Sequence, residues 1–119
     1  MTIDEKYQAM AALNDQFRSD PGKYRKNKVV MTASVAALYQ SYRDSLMRQV
    51  RAFSDFNEEN DPFNEHDFGS IDFLNTKYFW KIDYYDRKSF LTDTQYGSDD
   101  PANDDVTTRV LTVMEASEY

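Results

Sequence analysis

The pattern of apolar residues predicts an α+β domain. It is a small antiparallel sheet of about three strands covered by two or three helices, in the order α-β-α-β-β-α. Three observations predict it. Apolar residues recur every three or four positions near residues 3–18 and again near 38–53. Strict alternation runs from Lys77 to Tyr85. Clusters of Pro, Gly, Asn and Asp separate these segments. The chain has 119 residues, which fits a single domain, 1–119.

Each element has a local reason. Thr2 with Glu5 three positions later reads as a capping box. Ile3, Tyr7, Met10 and Phe17 follow at helical spacing with Leu13 beside them, so a helix is expected over Ile3–Arg18. Ser19-Asp20-Pro21-Gly22 stops it. Lys23-Tyr24-Arg25-Lys26-Asn27-Lys28 is a basic loop, and the β-branched run Lys28–Thr32 predicts a strand. In the next helix Leu38, Tyr42, Leu46, Val50 and Phe53 share a face, with Ser34 or Ser41 as its cap. The chain before Gly69 is a loop with Asn57, Asn60, Pro62 and Asn64 as breakers, pinned to the body by Phe56, Phe63 and Phe68. Ile71–Leu74 and Lys77–Tyr85 predict a hairpin turning at Asn75-Thr76. Tyr78, Trp80, Ile82 and Tyr84 fall on its core face; Lys77, Phe79, Lys81, Asp83 and Tyr85 fall on the other. Asp86–Asn103 reads as a polar loop. The last segment carries Val106, Val110, Val113 and Met114. Its β-branched residues suit a strand. A helix is preferred, because Asp104 and Asp105 stand at its start, where the helix dipole favours acids, and the apolar period is three to four.

Composition narrows the function. Leu, Ile, Val and Phe make up only 24 residues, yet Tyr, Phe and Trp reach 15% of the chain. Disordered chains are poor in aromatics, so a folded domain with an aromatic-rich core is expected. The absence of Cys excludes disulfides, thiolate metal sites and Cys nucleophiles. Met1-Thr2-Ile3-Asp4-Glu5 lacks the basic start and apolar run of a signal peptide. No apolar stretch approaches the roughly 18 residues of a membrane helix. A soluble cytoplasmic protein with no membrane association is expected. The net charge of -7 is unevenly placed. Residues 1–51 carry nine Lys/Arg and five Asp/Glu, a net of +4, and residues 52–119 carry five and sixteen, a net of -11. Such a split speaks about partners more than about fold.

Several blocks carry a family resemblance. They are His66-Asp67-Phe68-Gly69, Trp80-Lys81-Ile82-Asp83-Tyr84-Tyr85-Asp86, Gly97-Ser98 with Asp100-Pro101-Ala102, Thr107-Thr108-Arg109-Val110-Leu111-Thr112, and Ala116-Ser117-Glu118-Tyr119. In that order they resemble a bacterial family, domain of unknown function 3768. Ala12-Leu13-Asn14-Asp15 with Phe17-Arg18, and Met31-Thr32-Ala33, are similar to its front half. The Trp-Lys-Ile-Asp-Tyr-Tyr-Asp block is the specific one, and the resemblance runs from about residue 9 to the C-terminus. It implies a bacterial or mobile-element origin and no activity. Arg87–Tyr96 is longer than the spacing the resemblance implies.

Candidate chemistry is sparse. His66, the only histidine, stands between Glu65 and Asp67. It suits a general base, but neighbouring side chains on extended backbone point to opposite faces, a poor chelate, and a structural histidine at the start of a strand explains it better. Asp99, Asp100, Asp104 and Asp105 lack the spacing and central Gly of a calcium loop. Asp83 and Asp86 are a weak signal for paired-carboxylate chemistry, with Lys81 placed to pair with one of them. Lys23, Arg25, Lys26 and Lys28 are few for gripping nucleic acid in a chain that otherwise repels phosphate. Three glycines cannot build a phosphate-cradling loop, and no nucleophile elbow is present. No cofactor and no metal is expected.

The strongest feature left is the acidic half. The expectation is a small acidic non-enzymatic interaction protein. It would be an inhibitor that mimics nucleic acid and blocks a basic nucleic-acid-handling partner, of the anti-CRISPR or anti-restriction type, without binding nucleic acid itself. Its partner-binding residues would be Asp55, Glu58, Glu59, Asp61, Glu65, Asp67, Asp99, Asp100, Asp104 and Asp105. Phe63 and Tyr96 would supply hot spots inside the acidic rim. Two alternatives stand beside it. One is an enzyme or small-ligand binder with a pocket around His66, Asp67, Trp80 and Asp83, and the other is a structural module that dimerises through exposed aromatics.

Overall fold

The structure, a computed structural model, describes residues 1–92 and 94–119. Helix α1 spans Ile3–Ser19. Thr2 accepts from the Glu5 N–H and the Glu5 carboxylate accepts from the Thr2 N–H, so the capping box is present in both directions. Its inward face is Met10, Ala11, Asn14, Phe17 and Arg18. Ile3, at the first position of the helix, is exposed. A short 3₁₀ turn, Pro21–Lys23, leads to strand β1, Lys28–Met31.

The second helical region is two helices, α2 (Ala33–Ala36) and α3 (Gln40–Ala52). Neither Ser34 nor Ser41 caps it. Thr32 and Tyr39 hold the N-cap positions, without a side-chain cap bond. Arg43 Nη1 instead donates to the carbonyls of Ala36 and Leu38, satisfying the acceptors that the break between the helices frees. Leu46, Met47 and Val50 form the buried stripe of α3, while Tyr42 is partly exposed.

The hairpin comprises β2, Phe68–Phe73, and β3, Thr76–Asp86. Its turn is Leu74-Asn75, one residue earlier than the sequence suggests. Both residues have positive φ, 51° and 63°, as a two-residue primed turn requires. Within the expected loop 86–103, Asp86 caps a short helix α4, Arg87–Leu91, accepting from the Ser89 N–H at 3.1 Å.

The final segment is strand β4, Thr107–Glu115, and not a helix. It is central and bonded on both sides, to β1 in parallel and to β3 in antiparallel. Such a strand is buried on both faces and loses the two-residue alternation, so its apolar spacing imitated a helix. Asp104 and Asp105 lie in the preceding loop rather than in a first helical turn. The sheet therefore has four strands in the order β1-β4-β3-β2, and it is mixed rather than antiparallel.

Helices α1, α2 and α3 cover one face of this sheet. Phe17, Val35, Leu46 and Val50 meet Ile71, Trp80, Ile82, Leu111 and Val113 there. The opposite face, with Lys81, Asp83, Tyr85, Val110 and Thr112, has no helical layer among the described residues. It is the floor of a trough of about 720 Å³, reached by Phe90 of α4 at one end and by Tyr119 at the other. Among the described residues no helix is long and apolar enough to cross a membrane.

Candidate partner-binding surface

The acid-bearing loops rest on a buried polar network. Arg109 stands in the middle of β4 with its side chain turned to the helical layer, fully buried. Its Nε donates to Asn14 Oδ1 of α1 at 2.7 Å, and Nη2 donates to the Pro101 carbonyl. Asn14 Nδ2 donates to the Glu65 carbonyl at 2.9 Å and to Tyr84 Oη at 2.8 Å. Tyr84 in turn donates to the Glu65 carboxylate at 2.8 Å. The guanidinium also lies 5.3 Å from the centre of the Tyr84 ring. Burial pulls the Arg109 pKa down, against the opposing pull of Tyr84 and Asp104. Burial likewise pushes the Tyr84 hydroxyl up, so it remains a donor. This chain of bonds joins the loop before β2 and the loop before β4 to the same three side chains.

A second cluster lies beside it. Asp61 is buried, and its Oδ1 accepts from the N–H groups of Glu65 and His66 at 3.0 and 3.1 Å. These bonds curl the loop enough to place Asn64 and His66 at positive φ, 57° and 56°. The His66 ring stacks on Phe56 at 3.9 Å, and its Nδ1 meets Asp15 Oδ2 of α1 at 2.9 Å. Asp15 also holds Arg18, whose buried guanidinium donates to the Phe53 carbonyl and lies 4.8 Å from the Trp80 ring centre. His66 thus clamps the loop to α1. Asp67 is half-buried, and burial, with the charges of Glu65, Asp61 and Asp83 behind it, raises its carboxyl from 3.8 to about 6.

The ten acids expected to bind a partner divide into three groups. Asp61 and Glu65 bond within the protein in the ways just described, and Asp67 is half-buried beside them. Asp104 lies beside the basic loop, with its nearest cation contact to Arg109 Nη1 at 3.8 Å, and the Asp105 carbonyl accepts from Arg87. Asp55, Glu58, Glu59, Asp99 and Asp100 are exposed, and among the described residues none of them is in an ion pair. Side chains fix both of their loops. Asn57 Oδ1 accepts from Glu59 and Asn60 N–H groups, and Asn60 Nδ2 donates to the Asp55 carbonyl. Thr107 donates to the Asp100 carbonyl at 2.9 Å, and Ser98 Oγ accepts from the Asp100 N–H.

His66, Asp67, Trp80 and Asp83 line no common cavity among the described residues. Trp80 is fully buried against the helices. Asp83 lies on the opposite sheet face, paired with Lys81 at 2.8 Å. Phe63 is spent on a stack with Tyr7 at 5.4 Å, though it stays partly exposed, and Tyr96 is exposed. The sequence reading missed Asn14 and Arg109. Asn14 carried a signal, a polar residue in the stripe of Met10 and Phe17, whereas Arg109 stood among threonines and valines with none beyond its β-branched surroundings.

The fold and these surfaces define a small two-layer α+β domain with one sheet face left open and two rigid acidic loops. The family model described as Protein of unknown function (DUF3768) matches residues 31–118, and the chain belongs to that family. The match begins after α1, so the residues of α1 that hold the polar network lie outside it. No curated protein and no solved structure matches the chain.

Proposed function

We propose that this protein is a non-enzymatic interaction protein whose acid-bearing loops occupy the basic, nucleic-acid-binding surface of a partner and block it, as a mimic of nucleic acid does. The observation that carries this reading is that Asp55, Glu58, Glu59, Asp99 and Asp100 are exposed and outside any ion pair among the described residues, on loops fixed by side-chain hydrogen bonds. Fixed, uncompensated carboxylates project a field that steers a basic partner. Loops already held in place lose little conformational entropy on binding. The proposed surface is narrower than the acidic half as a whole, because Asp61 and Glu65 are used internally, Asp67 is half-buried, Asp104 lies beside the protein's own cations and the Asp105 backbone carbonyl accepts from Arg87.

The test is capture from a nuclease-treated bacterial lysate, eluted in salt steps and identified by mass spectrometry. A DNA- or RNA-binding protein should leave the column as salt rises, since screening weakens charge pairing. Combined Asp55→Lys, Glu58→Lys and Glu59→Lys, and separately Asp99→Lys with Asp100→Lys, should reduce its capture while the melting temperature stays unchanged. Capture that both variants leave intact, or that strengthens with salt, overturns the proposal.

A further inference from the structure

Strand β1 is the outer strand of the sheet, with no strand beyond it among the described residues. The Thr32 N–H donates to Val113 of β4, so by the alternation of a parallel ladder Val30 faces β4 as well. Val29 and Met31 then direct their N–H and C=O groups outward. Such an edge is a template for another strand unless something covers it. Here it is unprotected by proline, and Val29 and Val30 are 39% and 45% exposed.

Two depressions flank this edge, one on each side of the sheet. On the helical side Val29 and Met31 share a hollow of about 450 Å³ with Met47, Arg48 and Arg51, with Asp44 at its rim. On the open side Lys28 and Val30 form a border of the trough that contains Lys81 and Thr112. An added strand sends successive side chains to opposite faces. Its alternate residues would therefore enter one hollow and then the other. Cations surround the site. Arg25, Lys26 and Lys28 precede or open the strand and Arg48 and Arg51 overlook it, and none of the five is in an ion pair among the described residues.

The geometry points to β1 as a docking edge for an extended acidic segment of another protein, which adds as a fifth strand. Main-chain bonds to Val29 and Met31 would hold it, and the carboxylates on its helical face would meet Arg48 and Arg51, with its other face toward the trough bordered by Lys28 and Val30. Charge selects this occupant over a second copy of the same edge. Two β1 edges paired together would set these five cations against their counterparts, a repulsive arrangement. The edge is distinct from the acid-bearing loops, and its test does not depend on them.

The experiment titrates the isotope-labelled full chain with a synthetic peptide of about eight residues alternating Glu and Val, long enough to pair with a short strand, and follows amide shifts and hydrogen exchange. Shifts and new protection are expected at Val29 and Met31, weakening with salt, and the peptide with Lys in place of Glu should not bind. Val29→Pro removes an outward N–H while leaving the ladder to β4 intact. It should weaken binding about tenfold or more, the scale of a lost hydrogen bond with its register. Combined Arg48→Glu and Arg51→Glu should do the same, and this pair carries the test if Val29→Pro does not fold. Absence of binding by the Glu-Val peptide, equal binding of the Lys peptide, or shifts confined to other surfaces overturns the inference. Self-association that protects Val29 overturns it too, in favour of a second copy.

Discussion

At the scale of single residues, the molecule depends on a few buried polar groups. Arg109 reaches across the core to Asn14 and Pro101, and Tyr84 bridges Asn14 and Glu65. Arg109→Met leaves Asn14 Oδ1 and the Pro101 carbonyl unpaired, and the expected cost is about 3–5 kcal/mol in urea unfolding. Tyr84→Phe removes only the bridge, at about 1–2 kcal/mol. A neutral Arg109→Met would show that the network is incidental to stability. Gly69 is needed for space. A Cβ there would overlap the buried Trp80 indole and stand 2.8 Å from Phe53 Cζ. Gly69→Ala should therefore lower the melting temperature by an amount matching about 1–3 kcal/mol, with a loss of near-ultraviolet tryptophan signal.

Asp67 makes stability depend on pH. Its folded carboxyl titrates near 6 rather than 3.8, so between those values the folded state holds a proton that the unfolded chain has released. Stability from this group is present at low pH and is lost as pH rises through that window. Asp67→Asn has no such loss. Its stability relative to the parent should rise from pH 4 to pH 6 and then level off, as read by urea melts across the range. A difference that is flat in pH would show that Asp67 is not held in this environment.

At the scale of elements, β4 is the strand on which the sheet is built, since it alone bonds to both β1 and β3. Leu111 sits at its middle, fully buried and paired with Val29 on one side and Ile82 on the other. Leu111→Ala should cost about 2–5 kcal/mol. Exchange measurements should show β1 opening with β4, because among the described residues β4 is the only strand that holds it. Helix α1 and the hairpin were legible in sequence because their signals are local. A reciprocal cap at Thr2 and Glu5 and alternation along β3 need no knowledge of the rest of the chain. The identity of β4 was not legible, because burial on both faces erased the alternation that would have marked it.

At the scale of the whole molecule, charge is the organising property. The net of -7 conceals a basic edge around β1 and acidic loops before β2 and β4. Association through either surface should slow as salt rises, with the larger change in the association rate and the smaller in dissociation. Binding kinetics at two ionic strengths measure this directly, and rates that do not respond to salt would place the interface on the exposed aromatics instead. The candidate site was only half legible. Exposed acids in a sequence cannot be told from internal ones until the loop path is known. Asp61 and Asp55 stand six positions apart in one polar loop, yet one holds the loop from inside and the other faces water.

The α+β class, the first helix, the hairpin with its core face, the family and the asymmetry of charge can all be read from the amino-acid order. These follow from spacing, local caps and composition, which act over a few residues or over the chain as a sum. That the last segment is a central strand, that the sheet is mixed and has a cationic outer edge, and which carboxylates are spent inside emerge with the folded chain. Those outcomes depend on partners distant in the chain: Asn14 with Arg109, Asp15 with His66, and Lys28 with Val110. A residue's neighbours across such distances are chosen by packing and by the need to satisfy buried polar groups, and neither leaves a local mark.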